Sequence, residues 1–342
     1  KLRKREEQER ESTWERIGVV DSGPPEYKNR VLPALFKAMA RRAKHLLRMV
    51  LTGVMNSLSS LFMIFHRSLL MLEFNFRILL SIQDERYDVF HAHDLNTLIG
   101  AYCAARKQNA KLIYDSHELY LERNRFKPYN PIGKWLRRKL EAYLIRKVDH
   151  VITVNDSLSR QLSQTYRIKH PTVVMNTPSL HKLPRSLQYL SLRRALGVPK
   201  DCDILLYAGS ITFNRGLENL IQSMAYLPQC FLVLMGYSNN DYAKKLRAVS
   251  VKNGVAGRMA FFGPVPSSEV TLYASGADIG VAPIENVCLS YYCCSPNKLF
   301  EYMNAGIPVI ASNFPELARV VLESNIGLTF DPSNPKDIAR AA

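Results

Sequence analysis

The sequence predicts an α/β protein built on parallel sheets, and three observations carry that expectation. From Tyr87 onward, short runs rich in Val, Ile, Leu and Phe alternate with longer segments whose apolar residues recur at helical spacing. Such alternation is the pattern of parallel strands joined by crossover helices. Several of the runs stop at His, Asp or Gly, and in open parallel sheets ligands meet the chain at the carboxyl ends of the strands. The third observation is size: 342 residues with 47% hydrophobic content suit two domains of common size, each with its own core.

The opening segment is different in kind. Lys1 to Arg16 mixes six basic and five acidic residues without an apolar core, which is not the pattern of a secretory signal. The chain has no initiator Met and is expected to be a piece of a longer protein. Trp14 to Val20 reads as a short strand, and Ser22-Gly23-Pro24-Pro25 breaks the chain. A long helical region then opens near Val31, with Pro33 in its first turn. Within it Lys37, Arg41, Lys44 and Arg48 recur at intervals of four, three and four, which places them on one stripe, with Leu35, Met39, Ala43, Leu46 and Val50 opposite. A basic amphipathic helix of this kind can lie on an anionic bilayer. Met49 to Phe65 carries no charge, but it is short for a span and holds Asn56 and three serines, so a helix lying partly in protein and partly among headgroups is expected.

The first α/β unit is the strand Tyr87 to Asp94 with a helix over Leu95 to Lys107, and a second strand covers Lys111 to Glu118. Polar residues at these strand ends are candidates for chemistry: His91, His93, Asp94, Asp115, His117 and Glu118. A His at a strand end is often only a hydrogen-bonded packing residue, and that reading stands for His91 and His93. Val151 to Val154 is the next strand, followed by a helix capped by Asn155 or Asp156. Thr172 to Met175 closes the first domain. The expected division is a first domain over 1–178, a linker over 179–200 and a second domain over 201–342.

The second domain opens with the strand Asp203 to Ser210, in which Gly209 precedes the turn and Arg215-Gly216 starts a helix. A cation and a glycine there bring charge and backbone close to a phosphate. Strands are predicted at 231–235, 259–262, 278–282 and 326–330. Between the last two lies the stretch Cys293 to Ser312, read as loop, helix and strand. The helix opens near Pro296 and stops at Ala305-Gly306. The backbone N–H groups of Asn297, Lys298 and Leu299 are expected to be open donors at a positive helix end, with the Lys298 charge beside them, an arrangement suited to phosphate. Glu301, one turn further on, is suited to hold a diol such as a ribose.

The wording Ser295-Pro-Asn-Lys-Leu-Phe-Glu-Tyr302 resembles the C-terminal signature of retaining glycosyltransferases of family 4, and His91-Ala-His-Asp94 and Tyr114-Asp-Ser-His-Glu-Leu119 resemble their cleft-facing segments. The resemblance covers roughly Tyr87 to Ala342. It implies the GT-B fold, two Rossmann-like domains facing a cleft, here with the first domain lacking its opening strand and carrying a long basic helical region. The subgroup it resembles is associated with bacterial surface polysaccharides. The family pattern places two Glu eight positions apart; Glu301 matches the second, while Cys293 stands at the first. In the same way Ser210 stands where the family has Arg, and Arg215 fits the following Lys. By resemblance His117 lies near the donor sugar and acceptor, Asp94 binds or deprotonates the acceptor, and Gly209, Ser210, Arg215, Val265, Ser295, Asn297, Lys298, Leu299 and Glu301 line the donor site. No metal or cofactor is implied, since cations and amides hold the diphosphate. The partners implied are a nucleotide diphosphate sugar and a saccharide or lipid-linked acceptor. Two readings from other classes stay open: a nucleotide-sugar epimerase of similar architecture, and a non-catalytic scaffold that binds membrane through its basic helices.

Charge bears on partners. The formal net charge is +16. Over Val31 to Leu80 seven Lys or Arg face one Glu, and over Arg123 to Lys147 nine face Glu141, so these two segments hold most of the excess. Both lie in the first half, away from the nucleotide half-site, which points to an anionic membrane surface rather than nucleic acid, for which no recognition motif is present. Six cysteines at 103, 202, 230, 288, 293 and 294 form no Cys-x-x-Cys pair. Reduced thiols and a cytoplasmic location at the inner face of the membrane are expected.

Overall fold

A computed structural model describes Met49, His66 and residues 69–82, 85–179 and 192–342. The chain divides into two compact units, Lys1–Leu70 and Met71–Ala342. Met49, His66, Leu69 and Leu70 are the described residues of the first unit, so Lys37, Arg41, Lys44, Arg48 and most of Met49 to Phe65 lie outside the described residues. No helix among the described residues is long and apolar enough to cross a membrane.

The second unit holds two parallel sheets. The first has the order β1-β2-β3-β4, with β1 Val89–His93, β2 Lys111–Ser116, β3 His150–Thr153 and β4 Thr172–Val173. Between them run α1 (Asp94–Gln108), α2 (Pro131–Leu144) and α3 (Asp156–Tyr166). Asn130 and Asn155 cap α2 and α3, each accepting an otherwise open N–H at the helix start. The core of this lobe gathers Ala92, Leu112 and Tyr114 from the strands with Leu95, Leu98, Leu144, Leu158 and Leu162 from the helices. Inside it Glu141 accepts hydrogen bonds from the Tyr114 hydroxyl at 2.9 Å and the Tyr166 hydroxyl at 2.7 Å, and burial pushes its carboxyl above the ordinary value.

Asn75 wedges into α1. Its amide oxygen accepts from the Gly100 N–H at 2.6 Å, and its amide nitrogen donates to the Asn96 carbonyl at 3.0 Å, the two groups that face each other across one helical turn. A Cβ at Gly100 would come within 2.9 Å of that amide oxygen, so the wedge depends on glycine.

The second sheet has the order β10-β9-β8-β5-β6-β7. In chain order it is β5 (Asp203–Ala208), β6 (Cys230–Met235), β7 (Met259–Phe262), β8 (Ile279–Ala282), β9 (Val309–Ser312) and β10 (Gly327–Phe330). Both faces of β5 are buried, which explains its unbroken apolar run: Ile204, Leu206 and Ala208 enter one core, and Leu205 and Tyr207 the other. The helices that matter for the site are α4 (Leu217–Ser223), α5 (Leu289–Tyr292), α6 (Asn297–Ala305) and α7 (Pro315–Glu323).

The lobes touch through named groups. The Asn155 amide donates to the Cys293 carbonyl at 2.8 Å and to Ser295 Oγ at 3.1 Å. The buried Glu316 carboxylate, at the start of α7, accepts the Ser157 N–H of α3 at 2.7 Å, so one lobe caps a helix of the other. Burial raises the Glu316 pKa, but the bonds from Ser157 and Arg319 outweigh it and hold the carboxyl below its ordinary value.

Candidate functional site

The two halves of the site lie at the carboxyl ends of the two sheets, as the strand order requires. In the second lobe α6 is held in place by Tyr302. Its hydroxyl accepts from the Ala208 N–H at 2.8 Å and faces the Leu206 and Val281 carbonyls at 3.0 and 3.2 Å. The ring lies so close to Gly280 that a Cβ there would sit 2.4 Å from it. This ties the second turn of α6, one turn beyond Lys298, to β5 and β8.

Lys298 is buried and its Nζ sits 3.5 Å above the centroid of the Tyr207 ring with no hydrogen-bond partner. Burial and the neighbouring Arg215 charge push its pKa well below the ordinary 10.5. The Arg215 guanidinium stacks 4.7 Å from the centroid of Tyr291, and its buried Nε is also without a partner. A helix start follows at Gly216, whose φ of +73° and whose distance to the Pro283 carbonyl, 1.7 Å from an added Cβ, admit no side chain. Buried cations are ordinarily paired. Lys298 is buried and Arg215 half-buried, close enough for their charges to repel, with the half-buried Glu301 carboxylate pulling on Lys298 in the opposite sense.

The other donor-side candidates fall around this pair. Gly209 ends β5 with φ +135°, and a Cβ on it would meet Lys298 Nζ at 3.3 Å. The Ser210 carbonyl accepts from the Tyr207 hydroxyl at 2.7 Å, which fixes the turn. Asn297 begins α6, and Glu301 is half-buried on its next turn, its pKa raised by burial against the pull of Lys298. Val265, beyond β7, packs partly buried against the core. Ser295 is taken up by Asn155 of the other lobe. Leu299 departs from the expectation of an open donor. Its N–H reaches the Pro296 carbonyl at 3.1 Å and its side chain is core, because the chain enters α6 through a tight turn at Pro296.

In the first lobe Asp94 opens α1 with φ 60°, a left-handed conformation uncommon for a residue with a side chain. Its Oδ1 accepts from the His117 N–H at 3.1 Å, and burial raises its pKa although that bond lowers it. His117 Nε2 lies 3.1 Å from Asp115 Oδ2 and 3.1 Å from His93 Nδ1, contacts that fix the orientation of its ring. Glu118, half-buried with a raised pKa, is held by Arg123 at 3.3 Å and by Ser290 of the other lobe at 3.4 Å.

Cys293 is buried in the first lobe's core. Burial raises its thiol pKa and pushes that of Cys294 up to about 12, so both are neutral thiols. Sequence reasoning missed Tyr207, Tyr291 and Asn124. Asn124 links the lobes, donating to the Tyr291 hydroxyl at 3.2 Å and accepting from Asn214 at 3.0 Å. Nothing in its local sequence signals this, whereas a Tyr two residues before Gly209 in an otherwise aliphatic strand was a visible cue.

Two family models match the chain: Glycosyltransferase Family 4 over residues 52–178 and Glycosyl transferases group 1 over residues 190–342. Among curated proteins the chain is similar to a D-inositol 3-phosphate glycosyltransferase of Xylanimonas cellulosilytica, 23% identical over 73% of this chain and 61% of that protein. It is also similar to an uncharacterized glycosyltransferase of Methanocaldococcus jannaschii, 25% identical over 75% of this chain and 65% of that one. The chain therefore spans less than two thirds of the length of these relatives. Among solved structures, a sucrose-phosphate synthase from Thermosynechococcus elongatus superposes with a TM-score of 0.61 at 24% identity, over 75% of this chain and 63% of that one. The Anabaena protein HepE, solved with UDP and glucose, also gives 0.61, at 18% identity over 78% and 70%. With two parallel-sheet lobes, matching models along most of its length and neighbours of this architecture, the chain belongs to the GT-B glycosyltransferases of the family 4 and group 1 kind.

Proposed function

We propose that this chain carries the transfer of a sugar from a nucleoside diphosphate sugar to a hydroxyl of a saccharide or lipid-linked acceptor, with the anomeric configuration retained. The observation that carries this reading is the pair of buried, unpartnered cationic groups, Arg215 Nε and Lys298 Nζ. A diphosphate supplies the missing anion, and charge-assisted hydrogen bonds in a dry site are the strong ones. In this reading Glu301 accepts from ribose hydroxyls, and the Val265 loop faces the base. His117, oriented by Asp115, and the half-buried Asp94 stand on the acceptor side in this reading. Their part is to contact the sugar and the incoming hydroxyl while Arg215 and Lys298 stabilise charge on the leaving phosphate. Donor binding in this reading requires no metal.

The domain division follows the same reading: an acceptor-side domain over 1–178, a linker over 179–200 and a nucleotide-sugar domain over 201–342. The first domain meets the anionic inner face of a membrane, where a lipid-linked acceptor of surface polysaccharide synthesis would be found. Support among the described residues comes from α2. Ile132, Trp135, Leu136 and Tyr143 are exposed along one side of it, opposite the buried Gly133, Glu141 and Leu144. Lys139 lies over the Trp135 ring and Lys147 over the Tyr143 ring. Aromatic and aliphatic side chains with lysines beside them suit a headgroup boundary. The test of the transfer reading is incubation with a panel of nucleotide sugars and acceptors, with the product's anomeric centre read by NMR. Transfer with retention supports it, and isomerised nucleotide sugar without transfer would favour an epimerase.

A further inference from the structure

The strands of the first lobe bring His91 and His93, to which sugar transfer assigns no part, against Asp115 and His117. His91 and His93 are two apart on β1 and so share a face, and the register sets His93 opposite Asp115 on β2. His117 follows two residues later. Asp115 Oδ2 lies 3.3 Å from His91 Nε2, 3.4 Å from His93 Nδ1 and 3.1 Å from His117 Nε2. His93 Nδ1 and His117 Nε2 are themselves 3.1 Å apart. The ligand atoms of His91, His93 and Asp115 all fall within 4.8 Å of one another.

We propose that His91, His93 and Asp115, with His117 as the fourth group, form a binding site for a divalent transition-metal ion of the zinc class. The spacing is the first argument. Ligands at about 2.0–2.1 Å from a tetrahedral ion stand about 3.3 Å from each other; the three distances to Asp115 Oδ2 and the His93–His117 distance are close to this, and His91, His93 and Asp115 lie within 4.8 Å of one another. Hydrogen bonding is the second. Three imidazole nitrogens crowd one carboxylate oxygen, and His93 Nδ1 and His117 Nε2 face each other, so without a cation either two N–H groups point at one another or a lone pair is set against the carboxylate oxygen. An ion at the centre converts all four lone pairs into bonds. Imidazole nitrogen with carboxylate oxygen is a donor set for zinc and its neighbours rather than for magnesium or calcium.

The surroundings support the cluster. Asp94 holds the His117 backbone at 3.1 Å, and the Thr97 hydroxyl donates to the His93 carbonyl at 2.7 Å, so both strand ends are fixed. The three imidazoles are 41 to 56% exposed, which leaves an entry path, while Asp115 is mostly buried behind them. The one carboxylate of the set supplies an anionic ligand, and the cationic pair of the donor site belongs to the other lobe. One consequence rests on the transfer reading: a metal on His117 Nε2 takes the group that faces the sugar, so metal occupancy and transfer exclude each other, and the ion acts as an inhibitor.

The test is a titration of the chelator-treated protein with Co(II), read by the visible absorption of tetrahedral cobalt and by displacement with Zn(II). One equivalent is expected to bind, and His93→Gln and Asp115→Asn are each expected to weaken it at least tenfold with unchanged circular dichroism. Binding of equal strength in wild type and both variants, or no tetrahedral absorption in wild type, would overturn the proposal. Should one variant misfold, His91→Gln takes its place, with the same loss expected. Transfer activity is read in parallel. Zn(II) is expected to lower it and a chelator to restore it. Activity indifferent to bound Zn(II) would remove the inhibitory role, and tight cobalt binding in a protein that transfers no sugar would leave the metal site standing while the transfer reading fails.

Discussion

Burial and the Arg215 charge both lower the Lys298 pKa, and the sign of the result can be measured. In the unliganded protein its pKa is depressed by burial and by Arg215, so over the interval between that value and 10.5 the unfolded chain holds a proton that the folded one lacks. Stability is then expected to rise with pH across this interval. A bound diphosphate reverses the local charge and favours the ammonium, so nucleotide binding takes up a proton and weakens by up to tenfold per pH unit as pH rises. Lys298→Met should flatten both dependences; calorimetry in buffers of different ionisation enthalpy reads the proton uptake, and its persistence in the variant would contradict this account. Glu301→Ala should cost nucleotide binding roughly 1.5–3 kcal/mol through lost hydrogen bonds to a charged acceptor, with unchanged affinity removing Glu301 from the site. That Lys298 and Glu301 share one short helix opening after Pro296 was legible in the local sequence. Tyr207 and Tyr291 were not read as ring partners, because the cations reach them only through the packing of α6 and α5 against the sheet.

Elements were read from period and punctuation, and where those are strong the strands fall where the runs of Val, Ile and Leu stand. Asn155 was legible as a cap from its residue type. Its second task, holding the Cys293 carbonyl of the other lobe, was not, since it spans 138 positions of sequence. The same holds for Glu316, which reads locally as a first-turn acid of α7 and in fact caps α3 across the lobes. Glu316→Ala orphans a buried N–H and is expected to destabilise the lobe contact by about 1–3 kcal/mol, seen as a lower midpoint in urea. Because the folded carboxyl lies below its ordinary value, this contribution is present near neutrality and is lost as pH falls through the folded pKa. An unchanged midpoint at neutral pH would show that the contact carries no stability. For α2, Trp135→Ser with Leu136→Ser is expected to reduce sedimentation with anionic vesicles while nucleotide binding survives. Changing Lys37, Arg41, Lys44 and Arg48 to Gln should act likewise and make residual binding less sensitive to salt, each cation contributing on the order of 1 kcal/mol near the surface. Vesicle binding identical in all three proteins would remove both surfaces from the membrane reading.

At the scale of the molecule, the division of labour follows from the sheets. Each parallel sheet aims its strand ends at polar residues, one set cationic and one set imidazole and carboxylate, and Asn124, Asn155 and Glu316 hold the two lobes together. The fold class was legible because alternation of strand and helix leaves few architectures. Which side chains meet across the lobes was not, because that depends on loop paths that no local period encodes. The donor-site reading rests on Arg215 and Lys298 holding a diphosphate. Its most direct test is calorimetric titration of the protein with a set of nucleosides and their diphosphates, in wild type and in Arg215→Ala. The account predicts that a diphosphate binds at least tenfold more tightly than its nucleoside in wild type and that Arg215→Ala removes most of this difference while leaving the nucleoside affinity unchanged. Equal affinity for diphosphate and nucleoside in wild type, or equal losses for both in the variant, would contradict it.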